Sequence, residues 1–139
     1  MLALAVVICE CGPAEAWDAL AAPTPPPEAG ELMEPGQPSP WQAEARFMIA
    51  NADELLGLLE RAGVADRAHP RHLSTMVSAD LLFEDGDITG ETWLSRKDLT
   101  LLKPYATPEM RARIDAWDAF SQVFEDAGQV TRLIVWFIR

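Results

Sequence analysis

Four side chains of the kinds that bind zinc stand in the sequence as two close pairs, Cys9 with Cys11 and His69 with His72. Structural zinc sites use such ligands at characteristic spacings, such as that of a zinc knuckle, and this sequence does not have that spacing. A Cys-x-Cys spacing is tight, and Pro70 breaks the helix that would present two histidines together. The sequence therefore favours histidines on a surface loop and reduced thiols, as in a cytoplasmic protein.

A second candidate is a cluster of acids around a predicted turn. Its members are Glu84, Asp85, Asp87 and Glu91. A calcium loop of the EF-hand kind needs alternating oxygen ligands, a glycine at its sixth position and a glutamate at its twelfth. Counted from Asp85, Gly90 falls sixth, but Arg96 falls twelfth. The pattern therefore predicts no calcium site, and the alternatives are a solvated acidic turn and an electrostatic contact patch.

Motifs of well-known catalytic chemistries are missing from the sequence. It contains no glycine-rich phosphate loop, no Gly-x-Ser-x-Gly nucleophile elbow and no His-Glu-x-x-His metal helix. Cys9 lies in an apolar run, where burial raises the pKa of a thiol and makes it a poor nucleophile. The sequence thus favours a protein that is not an enzyme, with no catalytic residue, no cofactor and no metal.

The chain is acidic, with a formal net charge of −11, and much of that charge lies near its N-terminus. Residues 1–45 contain no lysine or arginine, but they hold Glu10, Glu15, Asp18, Glu28, Glu31, Glu34 and Glu44. Such a charge repels phosphate backbones and anionic lipids, so we expect no direct binding to nucleic acid or to a membrane. The electrostatic complement is a basic protein surface, such as that of a nucleic-acid-binding protein.

The N-terminal segment combines a strand with a proline-rich linker. Leu2–Cys9 is a continuous apolar run, typical of a strand that is covered on both faces. A short helix is predicted over Ala14–Ala22, and the prolines of Pro23–Pro40 favour an extended strap. Because Trp17 and Trp41 flank this strap, we expect them to pin it to the body or to anchor a partner.

The body, residues 41–139, is predicted to begin with a strand and a helix. Ala45–Ala50 has the composition of a strand. Asn51 followed three residues later by Glu54 is typical of a helix N-terminal capping box, and Gly63 stands where a left-handed C-terminal cap belongs.

A β-hairpin is predicted next. The segments Met76–Phe83 and Asp87–Leu94, each predicted as a strand, flank Asp85 and Gly86. This dipeptide favours a two-residue hairpin turn because both residues tolerate positive φ.

The last third of the chain is predicted to be a short helix, a long helix and a strand. Ser95–Lys103 holds one or two helical turns, and Thr107 with Pro108 favours the start of a helix that runs to residue 127. Its apolar stripe is Ile114, Trp117, Phe120, Val123 and Phe124. Val130–Ile138 is rich in β-branched and aromatic residues and is therefore predicted as a strand.

The order strand, helix, strand, strand, helix, strand is that of a ferredoxin-like α+β fold. In such a fold an antiparallel sheet carries both helices on one face. We expect the N-terminal strand to extend this sheet beside the C-terminal strand. Residues 1–40 (strand, short helix and strap) and residues 41–139 (body) would then form one folding unit.

The leading functional hypothesis is an acidic, non-enzymatic module that occludes a basic surface of a partner protein. Inhibitors, immunity proteins and phage anti-defence proteins work in this way. The predicted contact residues are Glu28, Glu31, Glu34, Trp41, Glu84, Asp85 and Asp87. The alternatives are a structural subunit of a larger assembly, such as a phage particle, and a small-molecule enzyme of the dimeric α+β barrel kind. A homodimer is compatible with each of the three.

Overall fold

The computed structural model describes residues 2–16 and 39–139 and shows an α+β protein. Its described part holds a four-stranded antiparallel sheet and four α-helices. In chain order the elements are β1 (Leu4–Gly12), β2 (Gln42–Ile49), α1 (Ala52–Ala62), α2 (Thr75–Leu82), β3 (Ile88–Leu94), α3 (Arg96–Leu102), a 3-10 turn (Lys103–Tyr105), α4 (Pro108–Asp126) and β4 (Val130–Ile138). Among the described residues no helix is both long and apolar enough to cross a lipid bilayer.

Strand β1 lies in the middle of the sheet, whose strand order is β2-β1-β4-β3. It pairs antiparallel with β4 over its whole length, from Leu4 opposite Ile138 to Gly12 opposite Val130. Its other edge pairs with β2. The expected pairing of the N-terminal strand with the C-terminal strand is therefore present. The strand does not extend the sheet, however, because it is inserted at its centre.

The predicted hairpin is wrong, because Met76–Phe83 forms helix α2 and not a strand. The Ser74 side chain caps this helix by accepting a hydrogen bond from the Val77 amide. Gly86 is explained by packing and not by a hairpin turn. A Cβ at this position would lie 2.5 Å from Cγ2 of Ile138, which is too close for any residue with a side chain. The fold is compatible with a ferredoxin-like arrangement, but its order of elements differs.

Helices α1, α3 and α4 pack on one face of the sheet, which we call the first face. The predicted positions of α1 and α4 on a common face are confirmed. The core there includes Leu55, Leu59, Leu99, Ile114 and Trp117 from the helices and Val7, Leu133, Val135 and Phe137 from the strands. The stripe predicted for α4 is right except at Val123, which is exposed.

The ends of these helices are mostly set by the residues that the sequence indicated. Thr107 Oγ1 accepts a hydrogen bond from the Met110 amide, and Gly63 adopts a left-handed conformation with φ 74°. The capping box at Asn51 is wrong, because its side chain makes no cap hydrogen bond. Glu54 accepts a hydrogen bond from the Thr107 hydroxyl instead, at 2.7 Å. This contact ties the start of α1 to the start of α4.

Residues 69–82, which include α2, cover the opposite face of the sheet, which we call the second face. Val77 of α2 is buried there against apolar side chains of β1 and β4. Those side chains are Val6, Ile8, Ile134, Trp136 and Ile138. Both faces of β1 and β4 are thus covered, which explains why their sequences are continuously apolar.

Several predictions fall on residues outside the described ranges. Almost all of the predicted helix Ala14–Ala22 and strap Pro23–Pro40 lies there, together with Trp17. The same is true of the predicted contact residues Glu28, Glu31 and Glu34.

Candidate functional site

The acids predicted as contact residues form a fixed turn between α2 and β3. Glu84, Asp85 and Asp87, which we call the acidic turn, surround Gly86. Oε1 of Glu84 accepts a hydrogen bond from the Gly86 amide at 2.9 Å. The Asp87 carbonyl accepts one from the Arg139 amide at 3.0 Å. The Glu84 contact lies within the turn, and the Asp87 contact holds the turn against Arg139, which follows β4. Asp85 and Asp87 remain exposed.

Large apolar side chains are exposed directly beside this turn. Leu82 and Phe83 are 77% and 76% exposed, and Met76 on the same helix is also exposed. We call these three residues the α2 outer ridge. Sequence reasoning missed them because the predicted strand would have buried alternate residues of this run. The available signal was the apolar character of almost every position from Met76 to Phe83.

The acidic turn has no ion pair with a cation in residues 2–16 or 39–139. The charged surface of α3 and α4 is different. Arg96 lies 2.7 Å from Asp118 and 2.6 Å from Glu125, and the hydrogen bonds that it donates to these two carboxylates raise the pKa of Arg96. Lys103 lies 3.2 Å from Asp115. Among the residues that the structure describes, cations therefore pair with acids of α4, whereas none pairs with the acidic turn.

Trp41 is not an exposed anchor, because its side chain is only 3% exposed. The guanidinium carbon of Arg132 lies 3.8 Å from the centroid of its ring. Such a cation–π contact is strong when both groups are shielded from water. Trp41 therefore packs on the second face and does not belong to the exposed surface around the acidic turn.

Arg132 forms a fully buried ion pair with Glu10, and both side chains are 0% exposed. Nε of Arg132 donates to Oε1 of Glu10 at 2.7 Å, and Oε2 of Glu10 accepts from the Ser74 amide at 2.7 Å. Nη2 of Arg132 donates to the His72 carbonyl at 3.2 Å. Burial lowers the pKa of Arg132, although Glu10 opposes that shift. Through the Ser74 amide and the His72 carbonyl, the pair links the sheet to residues 69–82. Neither group reaches solvent, so neither has access to a substrate.

His69 lies next to this pair and is not a surface histidine, since its side chain is 7% exposed. Its Nε2 is 3.0 Å from the Val135 carbonyl, which can only accept, so this nitrogen carries a proton. Nδ1 lies 3.0 Å from Oε2 of Glu91, without the geometry of a hydrogen bond. Burial lowers the pKa of His69, while the Val135 carbonyl and Glu91 oppose that shift.

The four side chains weighed as zinc ligands, Cys9, Cys11, His69 and His72, lie on different faces of the sheet. Cys9 and Cys11 face the first face of the sheet, whereas His69 packs against Trp136 on the second. Among the described residues no group of three or more histidine, cysteine or carboxylate side chains is arranged to hold a metal. The thiol of Cys11 lowers the pKa of Cys9 by a hydrogen bond, and the same contact, together with burial, raises the pKa of Cys11. Both thiols are free and buried.

One surface cleft of about 270 Å³ lies between α1 and residues 105–107. Its wall carries Glu54, Arg61 and Tyr105. Oε1 of Glu54 accepts a hydrogen bond from the Thr107 hydroxyl, and this contact ties α1 to α4. Thr107 Oγ1 also caps α4, so both groups already have structural roles.

No protein-family model matches the chain, and no curated protein or solved structure matches it. The functional argument therefore depends on the geometry and charge of the chain's own residues. These single out the acidic turn with the adjacent α2 outer ridge, where exposed carboxylates and exposed apolar side chains lie side by side.

Proposed function

We propose that this protein is an acidic, non-catalytic binding module that places its acidic turn on a basic surface of a partner protein and occludes that surface. The observation that carries the proposal is the unbalanced charge of Glu84, Asp85 and Asp87, compared with the paired charges of α3 and α4. Charge of one sign, held on a rigid turn, steers a partner of the opposite sign into place.

The formal net charge of −11 supports a partner that is itself basic, such as a nucleic-acid-binding protein. Inhibitors, immunity proteins and phage anti-defence proteins are the classes that fit this physical strategy. The reduced thiols of Cys9 and Cys11 favour the cytoplasm as the site of action. In this proposal the fold is a variant of the ferredoxin-like fold in which β1 is inserted between β2 and β4.

The two alternatives receive less support. A dimeric α+β barrel encloses its pocket between the open faces of two sheets, but here residues 69–82 cover the second face. A structural subunit of a larger assembly would also use an exposed apolar ridge, and its binding would depend less on salt than that of a steered acidic module.

The proposal is tested by reversing the charge of the turn. The variant Glu84→Lys/Asp85→Lys/Asp87→Lys and the wild type are immobilised and exposed to extract from the native host, and bound proteins are quantified by mass spectrometry. A partner should be basic and should be depleted on the variant. With the purified partner, reversal should slow association by about tenfold or more and flatten its salt dependence.

A matched control is Glu109→Lys/Asp115→Lys/Asp126→Lys on α4, which changes the net charge by the same amount. If both variants slow association equally, net charge alone is responsible and the acidic turn is not the contact surface. If neither variant changes the association rate, the proposed function is wrong.

A further inference from the structure

Helix α2 is apolar around most of its circumference, although only one of its sides is covered. Its sequence, Thr75 to Leu82, contains a single charged residue, Asp80. Val77 is its buried residue, and the outer ridge of Met76, Leu82 and Phe83 is exposed. A helix that is apolar on all sides is normally buried on all sides. The outer ridge therefore has the composition of a covered surface.

The outer ridge lies along the side of α2 that also carries Asp80, the residue that contacts β2. Met76 and Phe83 are seven residues apart and so lie on one side of α2, with Leu82 beside them. Asp80 forms a 3.5 Å ion pair with Arg46 of β2, which fixes the helix over that strand. Met48, also exposed, lies two residues beyond Arg46 on the same face of β2.

The charges around this ridge indicate the kind of surface that covers it. The acidic turn follows Phe83 directly, and its carboxylates have no ion pair with a described cation. An apolar ridge with an acidic margin complements an apolar groove with a margin of lysine and arginine. A purely apolar surface would leave these carboxylates unpaired at the edge of the interface, which is unfavourable.

We infer that the α2 outer ridge enters an apolar groove, bordered by lysine or arginine, on the same partner that the acidic turn recognises. This is a helix-in-groove interface in which Leu82 and Phe83 are the anchors. The inference rests on the proposed function and adds the partner's chemistry to it. It also assigns separate roles, since the carboxylates set the rate of association and the buried anchors set the rate of dissociation.

The probe is a fluorescently labelled amphipathic peptide of lysine and leucine with its leucines on one helical face. Its control is a scrambled peptide of equal composition and charge that has no apolar face. Binding is measured by fluorescence anisotropy, and the contact surface is mapped by amide chemical-shift changes. We expect the full-length wild-type chain to bind the amphipathic peptide about tenfold more tightly than the scrambled one, with shifts centred on Leu82 and Phe83.

Two variants separate the contributions. Leu82→Ser/Phe83→Ser should bind both peptides equally, because the anchors are gone while the charges remain. Glu84→Lys/Asp85→Lys/Asp87→Lys should bind both peptides more weakly and keep the tenfold preference. Val123→Ser is the matched control, since Val123 is 65% exposed on α4, and it should behave like the wild type. Thermal midpoints confirm that each variant is folded.

The outcomes also distinguish the inference from the proposed function. Equal binding of both peptides by the wild type would overturn the inference, as would a preference that persists in Leu82→Ser/Phe83→Ser. Unchanged binding of both peptides by the charge-reversed variant would instead overturn the role of the acidic turn in the proposed function. Loss of the preference in Val123→Ser would show that the ridge is not the specific contact, and this would also overturn the inference.

Discussion

The helices on the first face of the sheet, the first cover, bury apolar side chains and expose paired charges. Residues 69–83 on the second face, the second cover, also bury apolar side chains, but they lie over a buried ion pair and expose an apolar ridge. On the first face Trp117 is buried, and Arg96 on the outside pairs with Asp118. On the second face Glu10 and Arg132 are buried together, and the α2 outer ridge is exposed.

The two covers therefore differ in what they bury and in what they expose. Burial of apolar area is the main source of folding free energy, so the first cover is built for stability. A buried ion pair contributes little net stability, because desolvation offsets most of its Coulomb attraction. An exposed apolar ridge contributes even less until something covers it. The second cover carries the surface that we propose for association, and the following predictions test the comparison of the two covers.

The largest expected effect comes from breaking the buried pair. Arg132→Met leaves the Glu10 carboxylate buried without a counter-charge, so we expect unfolding free energy to fall by about 3–5 kcal/mol. Glu10→Leu/Arg132→Met removes both charges and should recover most of that loss. Urea denaturation of the two variants measures the difference. A double variant as unstable as Arg132→Met would show that the pair itself stabilises the second face.

On the first face the large effect should come from an apolar side chain. Trp117 is buried in the stripe of α4, so Trp117→Ala should cost about 3–5 kcal/mol of unfolding free energy. Thr107→Ala removes a helix cap and an exposed hydrogen bond to Glu54, and it should cost about 1 kcal/mol. The denaturant midpoints of both variants provide the measurement. If Thr107→Ala were the more damaging, the first cover would depend on its caps more than on its core.

The first cover was also the easier one to predict from sequence. Thr107 with Pro108, the left-handed Gly63 and the β-branched run Val130–Ile138 are local signals, and each gave the right element. Each of these residues acts within its own helical turn or its own strand. Local sequence signals were therefore sufficient to predict these elements.

The second cover could not be predicted because its determinants are far apart in sequence. Met76–Phe83 is a short apolar run whose periodicity does not separate a strand from a buried helix. Glu10 and Arg132 are 122 residues apart, so their pairing follows only from the adjacency of β1 and β4. His69 and Trp41 are buried against β4 residues that are also far away in sequence, Trp136 and Arg132. The sequence placed a turn at Asp85 and Gly86 but assigned it to a hairpin, whereas the residues before it form α2.

The second cover should also respond to pH through His69. Burial lowers the pKa of His69 in the folded protein, although the Val135 carbonyl and Glu91 oppose that shift. Because the folded pKa lies below the unfolded one, stability is complete above about pH 6.5 and declines as pH falls through that value. The groups that act on His69 include Glu91 on β3, Glu10 on β1 and Arg132 on β4.

His69→Gln tests this dependence, since glutamine does not titrate and its amide can still donate to the Val135 carbonyl. Between pH 8 and pH 5 the urea midpoint of the wild type should fall more than that of His69→Gln. Identical pH profiles would mean that other groups cause the decline.

The smallest effect on stability should come from the α2 outer ridge. Leu82 and Phe83 are mostly exposed, so Leu82→Ser/Phe83→Ser should change the unfolding free energy by no more than about 0.5 kcal/mol. Val77, on the inner side of the same helix, is fully buried, and Val77→Ala should cost about 1.5–3 kcal/mol. Urea midpoints of both variants provide the test. A loss in the ridge variant as large as that in Val77→Ala would show that the ridge already packs within this chain. Equal stability with the wild type would mean that the two apolar side chains contribute almost nothing to this fold, as the proposed docking surface requires.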